Sequence, residues 1–390
     1  MTSPRVPEQS GSHAGLLDEP RRAPASARFD AILVPTYRPV RHLRSCIDLA
    51  RRTQTPLIAV CSRAVRQNEV IALAARSNVE AFALDLPPGN PLGIDFATSE
   101  DKELSAASLG WTRDLSMKRN LGLVLARLAG WTKLMFLDDD IYGVAGDDVA
   151  ALAAALEDHS ISALIPTSFP DNSVACHAHR LGGGKQDVFA SASGIGIRCD
   201  RDDLAFFPNI YNEDWFFFAG EAASRRIARV GESHQRPYDP YGDPRRAALE
   251  EFGDLLAEGL YARLDLDQGI WGVDTGYWRD FIKRRVAFHQ RVAEALGHVE
   301  DRDKDEAAKA GRSIKAAQDQ LARITPRLCQ RFVQLWQADL QKWHRYLAGL
   351  PRLDSLETAF KYLDIEPACH HRSRLGRAGV SSGRRKILSR

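Results

Sequence analysis

Three consecutive carboxylates, Asp138, Asp139 and Asp140, follow the apolar run "KLMFL" and precede "IYG". Adjacent like charges repel, so a chain that concentrates them needs a partner that rewards the concentration. Hard divalent cations such as Mg2+ and Mn2+ take oxygen ligands, and Mg2+ commonly combines one or two carboxylates with the phosphate oxygens of a substrate. A metal with a diphosphate would relieve the repulsion. The same acids could instead cap the following turn, or the helix expected near Asp147 and Asp148.

A second acidic pair lies in "NEDWFFF", where Glu213 and Asp214 stand directly before Trp215 and Phe216. Carboxylates beside large aromatic rings are partly desolvated, which suits a general base or a hydrogen-bond acceptor. The alternative is a helix start, with Asn212 or Asp214 as the cap of a helix running to Arg226. A third stretch, "MKRNLGLVLARLAG", carries Lys118, Arg119 and Asn120. Arginine offers a fork of donors that matches phosphate oxygens, although an ordinary solvated helix start would look the same.

These residues need elements to position them. Residues 29–37, "FDAILVPTY", form a short apolar run that ends near Pro35, and a helical stretch follows over residues 40–52. "PLIAVCS", a helical stretch over residues 64–77, and "VEAFALDL" continue the alternation. Residues 117–130 recur at helical spacing, stop at a glycine and feed into "KLMFL". Short apolar runs separated by helices predict an α/β fold with a mostly parallel sheet covered on both faces. In open α/β sheets ligands bind outside the carboxyl ends of the strands, which is where the three aspartates fall.

Composition narrows the class. With 390 residues, the soft expectation is a main domain with an appendage. Lysine plus arginine (53) nearly balance aspartate plus glutamate (51), so no field of one sign points to nucleic acid. Six scattered cysteines form no CxxC pair, which argues against a zinc ribbon or a disulfide framework and for a reducing, cytoplasmic setting. No run approaches the roughly 18 apolar residues of a membrane helix. Residues 1–28, rich in Pro, Ser, Ala and Arg, read as a disordered leader, and residues 371–390, basic and free of acids, as a disordered tail.

Taken together, "LVPTYRP", "KRNLGLVLA", "FLDDDI" and "NEDW" resemble, in that order, the first strand, the helix before the metal site, the DXD motif and the acceptor-side ED motif of GT-A fold, family 2-like glycosyltransferases. The resemblance covers about residues 29–230. It implies a Rossmann-like GT-A domain over residues 29–244 that uses a nucleoside diphosphate sugar donor and Mn2+ or Mg2+. Asp138 and Asp140 would be the outer acids of the DXD motif, with Asp140 on the metal and Asp138 on the metal or the ribose; Asp139 is the variable middle position, beside the nucleotide. Pro35, Thr36 and Arg38 would border the nucleobase and ribose, while Arg119 and Asn120 would face the diphosphate. Asp214, or less directly Glu213, would be the base that deprotonates an acceptor hydroxyl. His234, in "RVGESHQRPYDPYGDPRR", becomes a candidate third metal ligand, a solvent-facing loop histidine being the plain alternative.

The QxxRW motif of processive synthases is missing from the chain, as is any candidate membrane span, so a non-processive enzyme is expected. A sugar-phosphate nucleotidyltransferase is the rival enzyme, yet it would place a Gly-rich phosphate loop after the first strand, and "VPTYRPVRH" has no glycine. A non-catalytic nucleotide-sugar binding protein is the other rival. Residues 179–187, "HRLGGGKQD", read as a loop that either folds over substrate or simply joins two strands. From about residue 245 the pattern turns helical up to residue 370, with Trp336 and Trp343 seven apart on one core-facing stripe.

Overall fold

The fold comes from a computed structural model that describes residues 13–19, 27–169, 173–185 and 187–372. In chain order the elements are β1 (Leu17–Asp18), β2 (Ala31–Thr36), α1 (Arg44–Thr53), β3 (Leu57–Cys61), α2 (Gln67–Arg76) and β4 (Ala81–Asp85). Next come α3 (Ala97–Glu100), α4 (Lys102–Ala107), α5 (Leu115–Leu128), β5 (Lys133–Leu137), β6 (Ile141–Tyr142), α6 (Gly146–Ala155), β7 (Ile161–Ser168), α7 (Val174–Leu181) and β8 (Gly194–Arg198). The remainder is α8 (Glu213–Ala223), β9 (Ile227–Gln235), α9 (Arg245–Leu264), α10 (Thr275–Leu296), α11 (Lys304–Leu321), α12 (Pro326–Gly349), α13 (Leu356–Tyr362) and β10 (Ala368–His370).

The described strands build one sheet in the order β1-β9-β7-β8-β5-β2-β3-β4-β10, with β6 paired to β9. Parallel pairing joins β5, β2, β3 and β4, and also β7, β9 and β1, while β8 runs antiparallel between β5 and β7. The molecule is therefore α/β, with a mostly parallel central sheet flanked by helices. Side chains of β2 alternate between the two faces: Ala31 and Leu33 join the cluster under α5, α8, α9 and α12, while Ile32 and Val34 join the one under α1, α2 and α6. Because both faces are covered, β2 and β3 are buried at every position rather than alternately.

The helical stretch that begins at α9 is not packed apart from the sheet. Phe252, Leu256, Trp278, Trp336 and Trp343 belong to the same buried cluster as Leu33, Val60 and Phe136. Its last described strand, β10, adds antiparallel to the edge of β4. Among the described residues no helix is long and apolar enough to cross a membrane.

Two expectations for the ends meet the described structure only in part. Residues 13–19, taken as part of a leader, form a 3-10 turn followed by β1, which pairs in parallel with Ile227 and Ala228 of β9. Leu16, 1% exposed, supplies the apolar anchor that the polar composition around it concealed. The rest of the expected leader up to residue 26, and residues 373–390 of the expected tail, lie outside the described residues.

Two glycines allow the approaches that the site depends on. A Cβ at Gly122 of α5 would lie 2.3 Å from Leu33 Cδ1, so at this helix position the Leu33 side chain would have to shift to admit one. A Cβ at Gly253 of α9 would lie 2.3 Å from the backbone oxygen of Tyr211, which cannot swing aside as a side chain can. Overpacking of this kind costs about 1–3 kcal/mol. Gly253→Ala is accordingly expected to lower the unfolding free energy by about that amount in equilibrium urea titrations, despite the better helix propensity of alanine.

Candidate functional site

The carboxyl ends of β2, β3 and β5 lie side by side, and the triplet of aspartates begins where β5 stops. The Asp138 amide donates to the Ser193 carbonyl (2.9 Å), closing that end of the β5–β8 pair. Arg119 Nη2 donates to both Asp138 oxygens (3.1 Å each), and its Nη1 donates to Glu213 Oε1 (2.5 Å). Asp139 turns inward, where it accepts from the Thr36 hydroxyl (2.6 Å) and from Arg38 Nη1. Asp140 Oδ2 accepts from Arg38 Nη2 (2.9 Å) and from Gln235 Nε2 (3.2 Å). Each member of the triplet is thus countered by a guanidinium, in a setting where the charge-assisted bond is stronger than its neutral counterpart.

One turn of α5 supplies three different ties. Lys118 Nζ donates to the Thr36 carbonyl (2.8 Å) and the Ser62 hydroxyl (2.7 Å), and pairs with Asp114 (3.3 Å). Burial pulls the Lys118 ammonium below its ordinary range, with Asp114 opposing. Asn120 points the other way and exchanges hydrogen bonds with both backbone groups of Phe207 (2.8 Å each).

α8 starts at Asn212, whose φ of 59° is left-handed, a conformation asparagine tolerates better than most residues. Its side-chain amide donates to Asp254 Oδ1 of α9 (2.9 Å). That start presents Glu213 and Asp214 to the same cavity as the aspartate triplet, a space of about 390 Å3. Asp214 accepts from the amides of Ala192 and Trp215 (2.9 Å each), which fixes the plane of its carboxylate. Two ionisable clusters, one after β5 and one at the start of α8, therefore share one cavity.

Of the residues expected from sequence, Pro35, Arg38, Arg119, Asp138, Asp139, Asp140, Glu213 and Asp214 line this cavity. Thr36 lies beneath it as the support of Asp139, and Asn120 supports a neighbouring loop. His234 is not among the lining residues: its Nδ1 faces the Ser168 hydroxyl (3.0 Å), its ring lies beside Tyr142, and it packs so closely on Gly143 that a Cβ there would lie 2.8 Å from the ring. Its strand neighbour Gln235 reaches Asp140 instead, because successive side chains of a strand point to opposite faces. Sequence reasoning missed Trp111, Tyr211, Tyr238, Arg246 and Glu250, which also line the cavity. No local pattern marks them, since the last two sit on α9, more than a hundred residues from the triplet.

The chemistry of Asp138 and Asp140 fits a divalent cation with a diphosphate, for both are hard oxygen donors on the cavity wall. His234 does not join them. Among the described residues, the group of three ligand-type side chains close enough to share an ion is elsewhere: Cys176, Asp254 and Glu258. There Arg285, fully buried, already binds Asp254, Glu251 (2.9 Å) and Glu258 (2.9 Å), so the group forms an ion-pair network.

Neither a protein-family model nor a curated protein matches the chain. Among solved structures, the mannosyltransferase PcManGT from Pyrobaculum calidifontis in complex with GDP-Man and Mn2+ aligns over 85% of this chain and 92% of that one, at 13% identity and a TM-score of 0.41.

Burial pushes the Glu213 carboxyl up to about 8, against the pull of Arg119 and with Asp214 adding to the rise. The native state then holds a proton that the unfolded chain loses near 4.5, so this group's contribution to stability falls as pH rises from about 4.5 to about 8. Glu213→Gln lacks that titration. Urea unfolding at several pH values from 5 to 8 is expected to show the variant gaining on the native protein by up to ~1.4 kcal/mol per pH unit. A constant difference across the range would mean that Glu213 is ionised throughout.

Proposed function

We propose that the cavity holds a nucleoside diphosphate sugar and passes its glycosyl group to an acceptor hydroxyl, as a non-processive, inverting hexosyltransferase of the GT-A, family 2-like kind. The observation that carries the reading is the meeting, in one cavity, of the guanidinium-countered aspartate triplet with the Glu213–Asp214 start of α8. The first group suits a diphosphate and its counter-charges; the second suits an acceptor about to lose a proton.

In this reading Asp214 accepts the acceptor proton. The hydrogen bonds from the Ala192 and Trp215 amides hold the carboxylate still while the acceptor approaches. The acceptor oxygen forms its bond to the anomeric carbon as the bond from that carbon to the diphosphate oxygen breaks, and the electron pair leaves with the diphosphate. Arg38 and Arg119 stand beside that departing charge, bound to carboxylates in the meantime. Glu213, buried against Arg119, keeps that guanidinium in place rather than meeting substrate. A divalent cation held by Asp138 and Asp140 would supply further stabilisation of the leaving diphosphate.

A thermal-shift panel of UDP, GDP, ADP, CMP and dTDP, with and without Mn2+, tests the donor side. One nucleoside diphosphate is expected to raise the melting temperature in the presence of Mn2+, and Asp140→Ala is expected to abolish the rise. Asp214→Asn is expected to keep that rise while losing transfer by about 10²–10⁴-fold, the range for a general base. No shift with any nucleotide, from protein shown to be folded before heating, would sink the reading.

A further inference from the structure

We propose that His13 is a positioning residue for the acceptor side of the cavity: it straps residues 188–192 and the start of α8 into the arrangement that aims Asp214. The proposal rests on the role given to Asp214 above, and its geometry stands independently of that role.

His13 is completely buried, although it belongs to a polar segment at the edge of the sheet. The segment is fastened there by the β1–β9 pairing, by buried Leu16, and by the contact between Asp18 and His159 Nε2 (2.8 Å). From that anchorage His13 grips one short run of chain twice. Its amide donates to the Val188 carbonyl (2.5 Å), and its Nδ1 accepts from the Ala190 amide (3.2 Å). Two residues further, the Ala192 amide donates to Asp214 Oδ2. Between these alternate residues, Phe189 and Ser191 line the cavity.

The ring completes the strap from behind. It stacks on Tyr261 (4.4 Å between centroids, 23° between planes) and meets Trp215 edge-on (4.1 Å, 68°). Tyr261 in turn donates its hydroxyl to the Trp215 carbonyl (2.8 Å), and the Trp215 amide donates to Asp214 Oδ1. Both amides that orient Asp214 therefore belong to residues that His13 either touches or holds through one intervening residue.

The residue type also speaks for this role. Burial pulls His13 down to about 3, so the ring is neutral, and with Nδ1 accepting from an amide the proton resides on Nε2. Among the described residues, that Nε2 has no hydrogen-bond partner. A buried polar atom left unpaired is a cost that leucine or phenylalanine would avoid, so packing alone does not account for histidine here. The acceptor at Nδ1 does.

The test uses the full-length chain with two substitutions. His13→Phe keeps the ring packing and loses the acceptor; His13→Asn keeps a side-chain oxygen near the Nδ1 position and loses the ring. Amide hydrogen exchange is followed across residues 188–193, and release of nucleoside diphosphate from UDP-, GDP-, ADP- and dTDP-glucose is measured alongside nucleotide affinity. His13→Phe is expected to fold, to bind the nucleoside diphosphate as the native protein does, to exchange faster over residues 188–193, and to lose kcat on the order of tenfold to a hundredfold with donor KM unchanged. His13→Asn is expected to restore much of that loss. A folded His13→Phe with native kcat and native exchange would overturn the proposal. If the native protein turns over none of these donors, the transfer reading fails on its own, and exchange over residues 188–193 still decides whether His13 is the strap.

Discussion

A single buried guanidinium decides whether this site can exist. Arg119, 2% exposed, stands between Asp138 at the end of β5 and Glu213 at the start of α8, and binds both. Without it, two acidic side chains from different parts of the chain would lose the donor they share. Here a single side chain answers two partners, Asp138 through a two-oxygen ion pair and Glu213 through a hydrogen bond. The requirement propagates outward. Arg119 reaches both only because α5 lies close on the sheet, which Gly122 permits, and because Lys118 and Asn120 tie the same turn to β2, β3 and the Phe207 backbone. Site electrostatics and sheet–helix packing are one constraint here.

That constraint explains which parts of the arrangement could be read in the sequence. Strands β2, β3, β4 and β5 are doubly covered and therefore spelled as continuous apolar runs, and the rule that ligands gather at their carboxyl ends led straight to Asp138–Asp140. Lys118–Asn120 and Glu213–Asp214 stood out for their type and setting. What stayed hidden depends on register or on distant partners. One position along β9 separates His234, turned to Ser168, from Gln235, turned to Asp140, and no composition signal chooses between them. Asn120 is one helical step from Arg119, and that step of a helix turns it from the cavity to a loop. His13 was lost because a single buried ring in a polar segment has no periodicity to betray it.

The charges of α9 and α10 were illegible for a related reason. Glu251, Asp254 and Glu258 recur at helical spacing, and all three are buried around Arg285, which comes from a helix some thirty residues later. Three acids around one arginine leave an excess of negative charge that the interior does not tolerate well. Burial accordingly pushes the Glu258 carboxyl up to about 8, against Arg285 and with Asp254 and Glu251 adding, so that it keeps a proton through neutral pH.

This network gives the C-terminal helices a share in the site. Asp254 binds Arg285 with one oxygen and the Asn212 side chain with the other, and Asn212 is the left-handed residue from which α8 departs. One residue before Asp254, Gly253 lets α9 close onto the Tyr211 backbone. The start of α8 is therefore held on three sides: by α5 through Arg119, by α9 through Asp254, and by residues 188–192 through Ala192. Carboxylates at the start of a helix keep a fixed position only under such restraint, since a helix terminus left to itself frays. The helices after residue 245 are part of the framework of the cavity in the same sense as the sheet: they fix the position from which Glu213 and Asp214 face it.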